Sequence, residues 1–92
     1  MNVRWSPTAL RDIESLRSYV ADDSPLAAIA TVERILSAIE ALPRRPEMGR
    51  AGRVTGTREL IVFPYVVAYR LKGGAIEIVA ILHGSKRWPD SF

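Results

Sequence analysis

A chain of 92 residues with 48% hydrophobic and 25% charged side chains has room for one small core and a shallow site, and none for a separate catalytic domain. It contains no cysteine and one histidine, which excludes disulfide scaffolding, thiolate catalysis and cysteine-ligated zinc, so no metal site and no cofactor are expected. The formal charge of +3 is unevenly spread, with four basic and six acidic side chains in residues 1–42 but nine and four in residues 43–92, and a basic half of this kind either meets an anionic partner or is simply solvated.

Met1-Asn2-Val3-Arg4-Trp5 lacks the basic-then-apolar layout of a signal peptide, and no apolar run is long enough to cross a bilayer, so a cytoplasmic chain with no membrane partner is expected. Asn2 to Trp5 reads as a first strand. Ser6-Pro7 then starts a helix, because Ser6 can cap free N–H groups and proline at the first helical position loses no needed donor. Ala9, Leu10, Ile13, Leu16 and Val20 recur at three-to-four spacing, which predicts an amphipathic helix ending near Ala21. Ser24-Pro25 starts a second one, continued by Ile29, Val32, Ile35, Leu36, Ile39 and Leu42 until Pro43 stops it. The short joint Asp22-Asp23-Ser24 makes the pair an antiparallel hairpin.

Pro43 to Thr57 contains Pro43, Pro46, Gly49, Gly52 and Gly56, a density that predicts a loop without regular structure. It carries Arg44, Arg45, Arg50 and Arg53 against Glu47 alone. Leu60 to Phe63, Tyr65 to Leu71 and Ile76 to Leu82 follow as three sequential antiparallel strands rich in β-branched and aromatic residues.

Gly73-Gly74 fits a two-residue hairpin turn, which sets a register. Lys72 faces Ala75, Leu71 faces Ile76, Arg70 faces Glu77, Tyr69 faces Ile78, Ala68 faces Val79 and Val67 faces Ala80. Alternation then places Val67, Tyr69, Leu71, Ile76, Ile78, Ala80 and Leu82 against the helices. Val66, Ala68, Arg70, Glu77, Val79, Ile81 and His83 fall on the opposite face, which no remaining element is long enough to cover. A bare apolar sheet face marks a partner or a site, unless it is a modest patch of no consequence.

His83, at a strand end, is placed to act as general acid or base, or to be structural. Arg70 is explained by a cross-strand ion pair with Glu77. Arg58 has only the adjacent Glu59, which points to the other face, and so is available for an anion. Lys86-Arg87-Trp88 has the composition of a phosphate-binding or stacking tail, and the other reading packs Trp88 back on the sheet. Tyr65, at a turn, is more available than Tyr69.

Trp5-Ser6-Pro7 with Ala9 and Asp12-Ile13, Pro46 with Gly49-Arg50, Arg58-Glu59-Leu60, Tyr65 through Tyr69-Arg70, and Ile81-Leu82-His83-Gly84 before Trp88-Pro89 follow one another along nearly the whole chain. In this order and spacing they resemble the ParE/RelE toxins of bacterial type II toxin–antitoxin modules. The resemblance implies one α+β domain over residues 1–92, ordered β-α-α-β-β-β, with the N-terminal strand joining a small twisted, mainly antiparallel sheet under the helical hairpin. It also implies a cognate antitoxin that sets a helix or strand against Val66, Ala68, Val79 and Ile81, with promoter DNA reached only through that antitoxin.

RelE-like members cleave mRNA in the ribosomal A site with clustered basic residues and often a C-terminal tyrosine, whereas ParE-like members poison DNA gyrase. Here Val66 stands where the RelE-type arginine follows the first tyrosine of its strand. Phe92 stands at the end where a tyrosine is wanted, and Ser85 falls at a second arginine position, with Lys86 and Arg87 beside it. Fewer cations count against phosphate chemistry, which needs charge stabilisation. Gyrase inhibition is therefore expected, with Arg50, Arg53, Arg58, Tyr65, His83, Lys86, Arg87 and Trp88 as the target surface. The alternatives are a ribosome-dependent mRNA endonuclease using Arg53, Arg58, His83 and Arg87, or an inactive relative that only binds antitoxin.

Overall fold

The computed structural model describes residues 1–92. Strand β1 (Asn2–Trp5) leads directly into helix α1 (Pro7–Asp23). The Ser6 hydroxyl caps α1 by accepting from Ala9 N–H at 3.0 Å. Ser24 both ends α1, its N–H donating to Val20 O at 3.0 Å, and caps helix α2 (Pro25–Glu40) by accepting from Ala27 N–H at 3.1 Å. The helical turn of α2 stops at Glu40, and Leu42 is buried in the turns that follow.

Strands β2 (Arg50–Ala51), β3 (Arg58–Val62), β4 (Tyr65–Lys72) and β5 (Ala75–His83) complete a five-stranded sheet ordered β1-β5-β4-β3-β2. β1 lies parallel to β5, and the other neighbours are antiparallel. The predicted α+β arrangement of a helical hairpin on a mainly antiparallel sheet is thus present. β2 was not foreseen in the glycine-rich loop. It forms because Gly49 and Gly52 let the backbone approach its neighbours: a Cβ on Gly49 would lie 2.7 Å from the Tyr69 ring and one on Gly52 2.3 Å from Thr57 Oγ1.

The Gly73-Gly74 turn has φ of +59° and +75°, the left-handed pair a two-residue hairpin requires. Pairing runs as predicted from Lys72↔Ala75 to Tyr69↔Ile78. There a β-bulge intervenes, and the next pairs are Ala68↔Ala80, Val67↔Ile81, Val66↔Leu82 and Tyr65↔His83. One extra residue, Val79, swaps the face of every β5 side chain beyond it. Ile81, expected on the face away from the helices, is therefore in the main core with Leu16, Ile35, Ile39, Tyr69 and Ile78. Ala80 and Leu82, expected under the helices, instead join Ala68 and Val79 in a smaller cluster. His83 moves with Ile81 and lines a cleft beside α1.

Beyond the end of β1, α1 satisfies β5 with side chains. Ser6 Oγ donates to Val79 O at 3.0 Å, and the Asp12 carboxylate accepts from Ile81 N–H at 2.9 Å. These polar residues replace ladder partners that β1 is too short to supply.

Candidate functional site

The sheet face away from the helices, expected to be bare, is covered by the chain itself. After β5, Gly84 N–H donates to Pro64 O at 2.8 Å and Lys86 N–H to His83 O at 2.9 Å. The tail then returns so that Trp88 packs on Ala68, Val79, Ala80 and Leu82. Phe92 meets the Trp88 ring edge-on at 6.2 Å, and the Arg53 guanidinium lies over it at 3.7 Å. Val66, Ala68 and Val79 are consequently buried, and with Ile81 in the main core none of the four residues expected to meet an antitoxin forms a free surface. A domain this small uses its aromatics for burial, and the tail supplies the cover that no regular element could. Trp88 Nε1–H is sealed there without an acceptor.

Beside Trp88, the fully buried Glu59 side chain is held by two arginines. Arg50 reaches Oε1 at 3.0 Å, while Arg53 donates from its backbone N–H to Oε2 at 2.7 Å and from Nε at 3.2 Å. Burial pushes the Glu59 carboxyl up, but the hydrogen bonds from Arg53 and Arg50 outweigh it and hold the pKa below the ordinary 4.5. Glu59, and not Glu47, is the acidic partner of the loop. Arg50 and Arg53 side chains remain 60% and 44% exposed, so both still present charge outward.

Arg58, expected to be free for an anion, instead donates to Gly49 O at 2.8 Å and to Glu47 O at 3.3 Å. The Tyr69 hydroxyl joins it by donating to Pro46 O at 2.8 Å and accepting from Gly49 N–H at 2.9 Å. Both side chains therefore pin the loop. Arg70 and Glu77 form the ion pair the register predicted, at 2.6 Å.

Tyr65, His83 and Lys86 come together elsewhere, in a cleft between α1 and the end of β5. The Tyr65 and His83 rings meet edge-to-face at 5.6 Å. His83 Nδ1 accepts from Ser85 N–H at 3.1 Å and lies 2.7 Å from Ser85 Oγ. The expected target surface is thus divided: Arg50, Arg53 and Trp88 on the tail-covered face, Arg58 in the loop, Tyr65, His83 and Lys86 at the cleft, with Arg87 exposed in the tail. Asp12 and Tyr19 were missed, although with Ser15 they share one helical stripe at three- and four-residue spacing.

Exposed apolar side chains lie at the β3–β4 turn, where Phe63 is 82% exposed, and along the helical hairpin. Leu26 is 79% exposed, Ile29 54% and Leu10 53%. An open groove of about 340 Å³ runs between Leu10 and Ile13 of α1 and Val32 and Leu36 of α2, with Trp5 at its end. No three His, Asp or Glu side chains gather as metal ligands, and no helix is long and apolar enough to cross a membrane.

The family model described as the ParE toxin of the type II toxin-antitoxin system parDE matches residues 3–88. Y4kP of Sinorhizobium fredii is 38% identical over 90 residues, covering 96% of this chain and 93% of its own length. Toxin RelE2 of Caulobacter vibrioides is 36% identical over 84 residues, covering 91% and 96%. A chain of the chromosomal ParDE toxin–antitoxin system from P. aeruginosa superposes with TM-score 0.79 at 27% identity, over 90% of this chain and 95% of that one. A chain of the RelBE2 toxin–antitoxin complex from Mycobacterium tuberculosis superposes with TM-score 0.61 at 28% identity, over 89% and 95%.

Proposed function

The chain belongs to the ParE/RelE family of type II toxins, and from that premise we propose that it inhibits DNA gyrase without cleaving nucleic acid and is neutralised by a cognate antitoxin. The observation that carries this reading is the apolar bed at Val66. Where a RelE-like nuclease resemblance calls for arginines and a terminal tyrosine, Val66 is 4% exposed, and Trp88 and Phe92 pack on one another beside the Ala80–Leu82 cluster. The cation at this bed, Arg53 over the Trp88 ring, is already paired with Glu59, and one neutralised guanidinium is not the cluster of cations that a transferring phosphate needs.

The endonuclease alternative needs Arg53, Arg58, His83 and Arg87 to act together. Arg58 pairs with Tyr69 and His83 with Tyr65, four residues apart along β4, or about 13 Å at strand spacing. Arg53 lies on the opposite face, bonded to Glu59. The separation favours binding over joint catalysis. The target surface on this reading is centred on the exposed Arg50 and Arg53 beside Trp88, with Arg87 in the tail and Lys86 at the separate α1 cleft as further basic groups. The antitoxin's apolar segment is assigned to the hairpin groove, since the sheet face is already filled by Trp88.

Gyrase supercoiling assays with the purified chain test the target. Inhibition that is relieved by the antitoxin is expected. Unimpaired supercoiling at growth-arresting concentrations, together with cleaved mRNA on programmed ribosomes, would replace this reading with the nuclease.

A further inference from the structure

The cleft beside α1 is an open volume of about 570 Å³, within the size range of small-molecule sites. One wall is the α1 stripe of Asp12, Ser15 and Tyr19, and the other is the turn after β5 with His83 and Lys86. Between them the floor is apolar, formed by Leu16 and Ile81. Polar groups of two kinds face each other across this floor.

Donors gather at the turn. Because Ser85 N–H donates to His83 Nδ1, the neutral imidazole carries its proton on Nε2 and offers it as a donor. The Lys86 ammonium forms no ion pair with any carboxylate of the chain. At the α1 wall, Asp12 is the acceptor. Its Oδ2 holds Ile81 N–H, which leaves Oδ1 for a donor in the cleft. Tyr19, 74% exposed, presents an aromatic ring at the rim that buries little and packs on no other ring.

A ligand that uses all of these groups combines an anion for Lys86 and His83, an N–H donor for Asp12, and a flat body that stacks on Tyr19 above an apolar floor. We propose that this cleft binds a nucleoside monophosphate, with its phosphate at His83 and Lys86 and its base at Tyr19 and Asp12. Inorganic phosphate would leave the α1 wall unused, and a nucleoside would leave the donors unused. The assignment goes beyond the toxin reading and is the same whichever macromolecule the toxin attacks.

The chain has one histidine, so the ring nitrogen resonances of His83 report this cleft alone. The ¹⁵N-labelled full chain is titrated at constant pH and ionic strength with AMP, adenosine and inorganic phosphate. A saturable shift with AMP is expected, with adenosine and phosphate each weaker by about tenfold. Lys86→Gln should weaken AMP binding by about tenfold, and Tyr19→Ala should do so while leaving the response to phosphate unchanged. Both side chains are exposed, so these variants keep the fold. No shift with AMP up to about 10 mM, an equal response to inorganic phosphate, or unaltered AMP affinity in both variants would overturn the assignment.

Discussion

The Arg53 guanidinium lies 3.7 Å from the centre of the Trp88 ring, joining the loop before β3 to the tail after β5. Arg53 is itself fixed by Glu59 from below, so the stack is preorganised and not a chance surface contact. Carboxylate, guanidinium and indole are thus linked in series, which holds Trp88 on the Ala68, Val79, Ala80 and Leu82 cluster that it covers.

Removal of the indole should open it. Trp88→Ala is expected to lower stability by about 2 kcal/mol, less than for a fully buried tryptophan because Trp88 is only partly buried. Trp88→Phe should cost less than half as much, since it keeps a ring under Arg53 and deletes the sealed Nε1–H that has no acceptor. Urea unfolding followed by far-ultraviolet circular dichroism measures both, free of the change in tryptophan fluorescence.

Glu59 ties stability to pH. Its folded-state pKa lies below the ordinary 4.5, so its contribution is fully present above pH 4.5 and is lost as pH falls through the folded value. Glu59→Gln should remove the contribution of this group, about 2 kcal/mol at neutral pH, and flatten the part of the acid unfolding curve below pH 4.5. A variant whose acid limb matches that of the unsubstituted chain would contradict this assignment.

The Tyr69 hydroxyl serves both a donor and an acceptor of the loop. Tyr69→Phe leaves Gly49 N–H and Pro46 O without it and should cost about 2 kcal/mol. Gly49→Ala should cost at least as much, because the added Cβ would meet the Tyr69 ring at 2.7 Å and Glu59 O at 2.9 Å. Thermal melts test the stabilities, and faster amide exchange at residues 46–53 would show that the loop has loosened.

The hairpin groove is open in the free chain, so its apolar rim can be altered without disturbing the core. Leu10→Glu combined with Leu36→Glu should leave the melting temperature nearly unchanged while weakening the antitoxin complex by roughly 100-fold. Growth arrest by the double variant should persist even when antitoxin is co-expressed. Normal affinity in a pull-down or calorimetric titration would move the antitoxin site away from this groove.

Local patterns carried a large part of the fold. Ser6-Pro7 and Ser24-Pro25 mark both helix starts through capping chemistry that acts within one turn, and Gly73-Gly74 sets the hairpin because only glycine accepts two successive left-handed residues easily. The same turn placed Arg70 opposite Glu77, only a few pairs away. Alternation is reliable until something adds a residue, and nothing in Val79 or its neighbours announces the bulge. At the bulge β5, once past the end of β1, meets Ser6, the cap of α1, and Asp12 within it, and that contact exists only in the folded chain. From Ala80 onward the faces are therefore exchanged, and Ile81 and His83 point where the simple pattern put Ala80 and Leu82. The loop arginines followed the same logic. Their number and sign are visible in composition, but which carboxylate they meet is a matter of strand pairing, since Glu59 comes beside Arg50 across β2 and β3. Trp88 is the last case: the amino-acid order identifies an aromatic among cations, and the return of the tail over Ala68, Val79, Ala80 and Leu82 makes it a cover for the sheet.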